Sequence, residues 1–185
     1  MACYNRVMPW ELKPELVGHG MRVGVIVSLF NEFLTVRLLQ GAQEALLQQG
    51  VKMADITVAW VPGSLELAPA AQRMASSGRW DALVALGAVV RGETAHFDLV
   101  AAESARGVAE VARQSGVPVA FGVLTTDTVE QASDRASGLL GNRGADAALA
   151  AVQMANLFRR LDAGPPAAAS SAGPRPAAQA RRRGT

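Results

Sequence analysis

The sequence is poor in the groups that usually do chemistry or staple a fold. Its 185 residues include one cysteine, one tyrosine, three tryptophans and two histidines. A lone thiol, Cys3, excludes an intrachain disulfide framework and any zinc site built on cysteines. Charged residues make up only 18%, against 50% hydrophobic ones. That apolar share suffices for a packed core and excludes wholesale disorder. Long apolar runs are also missing. The longest, Val23–Phe30 and Ala82–Val90, fall well short of the roughly 20 residues that span a bilayer. The first twenty residues show no apolar stretch behind a basic start, so neither a secretory leader nor a membrane anchor is expected. A cytoplasmic protein follows as the expectation.

The formal net charge of +2 and the sequence pI of about 9.2 suggest a nucleic-acid binder until the charges are located. Four arginines (Arg175, Arg181, Arg182, Arg183) face one aspartate from Asp162 onward, so residues 1–161 carry a net −1. The basic signal belongs to the tail. Three consecutive arginines without interleaved aromatics are a weak nucleic-acid signature, and no nucleic-acid partner is expected.

Three regions follow from composition. Residues 1–20 are irregular, with Pro9 and Pro14 disfavouring a helix interior. Residues 21–161 form the expected domain. Residues 162–185 are Pro/Ala/Arg-rich with no large apolar side chain after Leu161, and burial there cannot offset ordering entropy. Within the domain, Arg22–Ser28, Ile56–Val61, Asp81–Val90 and Val117–Leu124 read as short Val/Ile-rich strands. Between and after them, Asn31–Gln49, Leu65–Ser77, His96–Gln114, Val129–Ser137 and Asn142–Leu161 read as helices. In the first, Phe33, Val36, Leu38, Leu39, Ala42, Ala45 and Leu46 recur at three- and four-residue spacings. Strands joined by helix-length segments imply a parallel sheet with right-handed crossovers and helices on both faces.

Ligands of such sheets sit outside the carboxyl ends of the strands. The residues just after each strand therefore carry the functional argument. Phe30, at the first corner, is placed where a flat heterocycle can stack, although a core role is equally ordinary for an aromatic. The second corner, Pro62-Gly63-Ser64-Leu65-Glu66, ends on a carboxylate that can accept from ligand hydroxyls or merely favour a helix N-terminus. The third, Arg91-Gly92-Glu93-Thr94-Ala95-His96, is the richest. Gly92 admits close backbone approach, backbone N–H groups at a helix start suit an anion, and His96 is a proton shuttle candidate. Its spacing is not that of a Walker A loop.

The motifs SLFNEF (28–33), VPGSLELAP (61–69), LGAVVRGETAHFDLV (86–100), FGVLTTDT (121–128), EQASDRA (130–136) and GNRGADAALAAVQMANLF (141–158) together resemble the lumazine synthases of riboflavin biosynthesis. The likeness spans about residues 22–161. It implies an α/β, three-layer α-β-α flavodoxin-like fold with a four-stranded parallel sheet and an extended N-terminal segment. It also implies a homopentamer, in many members closed into a sixty-subunit icosahedral shell. The implied reaction condenses 5-amino-6-(D-ribitylamino)uracil with 3,4-dihydroxy-2-butanone 4-phosphate to give 6,7-dimethyl-8-ribityllumazine, phosphate and water. It needs no metal and no organic cofactor. A catalytically idle paralogue, serving as a shell or flavin-binding protein, is the alternative.

Carried over by position, the resemblance assigns Phe30 to stacking on the pyrimidine, and Ser64, Leu65 and Glu66 to the ribityl side. Val89 and Val90 would offer backbone groups to the ring. Glu93 (through its N–H), Thr94 and Arg135 would hold the phosphate, and His96 would be the general acid and base. Phe121 would come from a neighbouring subunit, and Asn31 and Arg143 are further candidates. The chain departs from the family pattern at Arg143, where lysine is usual, at Leu65, where a bulkier residue is common, and at Ala95, often proline. No residue of the assigned set would ligate a metal.

Overall fold

The computed structural model describes residues 10–137 and 139–165. The start of the N-terminal segment (1–9) and most of the expected tail (166–185) lie outside the described residues. Residues 10–22 contain no helix or strand. The elements then run β1 (Val23–Ser28), α1 (Glu32–Gln48), a 3₁₀ turn at Met53–Asp55, β2 (Ile56–Val61), α2 (Leu67–Ala75) and β3 (Ala82–Val90). They continue with α3 (His96–Ser115), β4 (Val119–Thr126), α4 (Val129–Ala136) and α5 (Arg143–Ala163).

The sheet has the order β2-β1-β3-β4, with every pairing parallel. From β1 the chain turns outward to β2, then returns past β1 to β3. A crevice therefore opens at the carboxyl ends of β1 and β3, the switch point of the topology. Side chains alternate along each strand, so the sheet feeds two cores. On one face Val23, Val25, Val27, Ala82, Val84, Leu86 and Ala88 pack with α1, α4 and α5. On the other, Ile26, Leu83, Ala85 and Val89 pack with α2 and α3. This is the expected α/β three-layer architecture. The central strand β1 is wholly buried, as its unbroken apolar run requires, whereas β2 at the sheet edge is only partly covered.

Three expectations need correction. The last strand begins at Val119 and runs through Thr126, two residues later than its composition suggests. Proline has no N–H for a ladder, so Pro118 serves only as an acceptor, for Leu83 N–H at 2.8 Å. The β-branched Thr125 and Thr126 pair with Val89 and Val90. Second, the buried stripe of α1 is Leu34, Leu38, Gly41, Ala42, Ala45 and Leu46. Phe33 and Val36 are 54% and 44% exposed, on the outer face. Third, α5 continues past Leu161 to Ala163 and ends at Gly164, whose φ of 70° few other residues tolerate.

The helices α1 and α5 meet at very close range. Gly144, in the first turn of α5, lies against the backbone carbonyl of Leu38, where any Cβ would collide. Asn142 makes this approach possible by tying three segments together. Its Oδ1 accepts from Gly144 N–H and Ala145 N–H at 2.8 and 3.1 Å, capping α5. Its Nδ2 donates to Arg37 O at 2.8 Å and to Ala136 O at the end of α4.

Candidate active site

The first corner is held in an unusual backbone conformation. Asn31 has φ 60° and ψ 44°, left-handed for a non-glycine residue. Asparagine accepts that conformation more readily than most residues. Here its Nδ2 also donates to Ala88 O on β3 at 2.9 Å. The backbone N–H groups of Leu29 and Phe30 donate to Val61 O (2.8 Å) and Pro62 O (3.1 Å), so two strand exits are laced together. Thr35 adds a buried hydroxyl bond to Ser28 O at 2.8 Å. The result is a rigid turn that presents the Phe30 ring outward, 67% exposed.

At the second corner Ser64 is buried, at 6% exposure, because β3 carries glycine beneath it. A Cβ on Gly87 would stand 2.8 Å from Ser64 Oγ and crowd Val123 and Leu67. Glu66 precedes α2 without capping it, so its exposed carboxylate stays available. Gly87→Ala is expected to rotate Ser64 and shift the Pro62–Glu66 turn. The consequence is faster amide hydrogen exchange in residues 63–66 with the fold intact, as exchange and circular dichroism on the purified variant would show.

The third corner leaves β3 at Val90 and enters α3 at His96. Its loop is exposed, and so is His96. Arg91 Nε donates to Asp127 at 2.8 Å, and its terminal nitrogens reach Asp98 at 3.2 and 3.4 Å. The same guanidinium lies 4.1 Å above the centre of the Phe97 ring. Both carboxylates, Asp127 first and then Asp98, raise the arginine's affinity for its proton. It is a fixed cation.

These three corners enclose a cavity of about 410 Å³. Phe30 lines it from the first corner, Ser64, Leu65 and Glu66 from the second, and Val89, Val90, Gly92, Thr94, His96 and Phe97 from the third. A second cavity of about 400 Å³ opens elsewhere, along the β4 edge. It gathers Phe121, Thr125, Arg135, Arg143 and Asp146, and shares no residue with the first. There Arg135 donates to Gln131 O within α4 at 2.9 Å, and Arg143 pairs with Asp146 at 2.9 Å.

Residues 20–159 match the model of the 6,7-dimethyl-8-ribityllumazine synthase family. The chain belongs to this family. Lumazine synthases are transferases of riboflavin biosynthesis, and the match covers the whole sheet and nearly all of the helical cover.

Of the residues assigned by position, Phe30, Ser64, Leu65, Glu66, Val89, Val90, Thr94 and His96 face one cavity. Phe121, Arg135 and Arg143 face the other. Glu93 lines neither, and the amide of Asn31 is spent on Ala88 O. Sequence reasoning passed over Gly87, Asn142 and the Arg91–Asp98–Asp127 cluster. The two aspartates did carry a signal, since each follows a strand at the ligand-bearing edge of the sheet. Among the described residues, no group of three or more His, Cys, Asp or Glu is placed to hold a metal ion. No described helix is long and apolar enough to cross a membrane.

Proposed function

We propose that this chain condenses 5-amino-6-(D-ribitylamino)uracil with 3,4-dihydroxy-2-butanone 4-phosphate to form 6,7-dimethyl-8-ribityllumazine, releasing phosphate and water. The observation that carries this reading is the single cavity in which an exposed aromatic, a carboxylate, a hydroxyl-bearing loop and a histidine converge from three strand ends. Phe30 is the platform for the pyrimidine ring. Ser64 and Glu66 accept from the ribityl hydroxyls, and the backbone at Val89 and Val90 meets the polar ring edge. Gly92, the N–H of Glu93 and Thr94 receive the phosphate at the start of α3, where helix N–H groups and dipole favour an anion.

The chemistry needs proton transfers rather than a cofactor. The uracil amine attacks the ketone carbon, and the carbinolamine loses water to give an imine. Loss of a proton from the adjacent hydroxyl-bearing carbon then expels phosphate with its bonding electron pair. The resulting enol takes up a proton on its terminal carbon to become a ketone, and attack of the ribityl-bearing nitrogen on that new carbonyl closes the ring with loss of a second water. The steps move protons at nitrogen, oxygen and carbon, which suits the imidazole of His96, whose two ring nitrogens can accept and donate. Holding two substrates side by side supplies a further large share of the acceleration.

The site is completed by a second copy of the chain. Phe121, Arg135 and Arg143 sit together at the β4 edge and away from the first cavity, so one chain carries two complementary halves. Exposed Leu29, Phe33 and Val36 on and beside α1 supply apolar surface for such a contact. The assembly is a homopentamer, and the short connection between α4 and α5 suits closure into an icosahedral shell. Electron microscopy of the purified protein distinguishes ring from shell.

Arg135→Ala is expected to raise the KM for the butanone phosphate about tenfold or more, because it removes a charge-assisted contact to phosphate. The KM for the uracil should change little. Initial rates of lumazine absorbance, with each substrate varied in turn, check both. A protein that assembles normally but forms no lumazine from the two substrates would instead support the idle shell or flavin-binding reading.

A further inference from the structure

Residues 92–95 have to hold an anion, yet almost nothing holds them. Among the described residues, Gly92, Glu93 and Thr94 find no hydrogen-bond partner elsewhere in the chain. All four residues are exposed. The loop is fixed only at its ends. At the near end, Arg91 N–H donates to Thr126 O at 2.9 Å, extending the β3–β4 ladder by one rung. At the far end, α3 begins. The Arg91 side chain closes the gap between them, bonding Asp98 in the first turn of α3 while its flat face covers Phe97. Its third partner, Asp127, is itself held: Asp127 N–H donates to Gln131 Oε1 at 3.0 Å, and Thr126 Oγ1 bonds Thr128 O at 2.9 Å in the same turn.

We infer that Arg91 is a positioning residue for the phosphate loop, a fork that ties α3 to the β4–α4 turn and so fixes residues 92–95 and the approach of His96. This rests on the lumazine synthase reading of the cavity. Arg91 does not line that cavity, so it acts through the loop and not as a phosphate ligand. The planar guanidinium matters because it addresses two carboxylates and an aromatic face at once, which an ammonium on a flexible stem does not do. Exposed ion pairs contribute little to global stability, so the effect is local order in the loop.

The test uses the full-length protein and three variants, Arg91→Ala, Arg91→Lys and Asp127→Asn. Arg91→Ala is expected to raise the KM for the butanone phosphate about tenfold, leave that for the ribitylaminouracil within twofold, and speed amide hydrogen exchange in residues 92–97. Arg91→Lys should recover only a small part of the KM change, because charge alone does not rebuild the fork. Asp127→Asn separates positioning from electrostatics. Removing a negative charge near a phosphate site should improve phosphate binding if charge is what matters, whereas loss of an anchor should weaken it. A raised KM in Asp127→Asn supports the inference. An unchanged or lowered KM, full rescue by lysine, or loop exchange unaltered in Arg91→Ala each overturns it. If the unmodified protein forms no lumazine, the functional reading falls, and the exchange measurement still decides whether Arg91 orders the loop.

Discussion

Replacing His96 with alanine is expected to slow lumazine formation about 10²-fold, the usual scale for losing a general acid and base. That factor corresponds to about 2.7 kcal/mol of transition-state stabilisation. His96 opens α3, is exposed, and lines the cavity beside Gly92 and Thr94. Its imidazole makes no hydrogen bond among the described residues, so its loss should not disturb fold or assembly. The proposed reaction passes through a carbinolamine and an elimination, each needing a proton delivered or removed, and the imidazole can do both. The glutamate at position 66 is the other titratable group there, and it belongs to the second corner, the proposed seat of the ribityl chain. Both KM values should stay near those of the unmodified protein, with the loss in kcat. Single-turnover mixing of the two substrates with the variant checks this. Turnover within threefold of the unmodified protein would remove His96 from the proposed chemistry.

The largest expected effect on stability comes from Gly144→Ala, which should cost about 3 kcal/mol or more, the upper end for forcing extra volume into packed structure. The obstacle is the main chain of Leu38 and not a side chain able to rotate away. Relief requires α5 to move off α1, and that movement pulls on Asn142, whose amide joins α1, α4 and α5. The consequence reaches beyond the helix pair. Both Arg135 and Arg143 sit on the elements that Asn142 ties together, so the second cavity should loosen with them. Denaturant unfolding followed by circular dichroism, at fixed protein concentration, gives the midpoint shift. A substitution without effect on the midpoint would mean that the approach of the two helices is not the constraint described.

The layered order of the fold was legible because its strands are short apolar runs of a kind that only a doubly covered sheet produces. β1 and the inner part of β3 are fully buried, matching their composition. Where the reading slipped, the cause was local. Pro118 resembles the apolar run it only precedes, and Phe33 and Val36 share the helical spacing of a stripe that α1 does not bury. A periodic apolar pattern marks a helix without saying which of its apolar residues the sheet covers, and α1 buries only one stripe of them.

The candidate site was legible as a set of corners, since parallel-sheet topology assigns ligands to strand ends before any side chain is placed. Its supporting contacts were not. That Gly87 makes room for Ser64, or that Arg91 finds Asp127 thirty-six residues on, depends on register between β3 and its neighbours, which composition does not specify. The separation of Arg135 from His96 into another cavity likewise has no trace in a linear motif, whereas the resemblance does set Phe121 apart.

The central claim, a lumazine synthase site assembled from two copies of the chain, is tested most directly by mixing two defective variants. His96→Ala keeps the Arg135 half, and Arg135→Glu keeps the His96 half. Each alone should be nearly inactive. Co-expressed in equal amounts, they should recover about a quarter of the unmodified activity, the share of interfaces that pair an intact half with an intact half in a randomly mixed cyclic oligomer. Activity no greater than the average of the two separate variants would contradict the account.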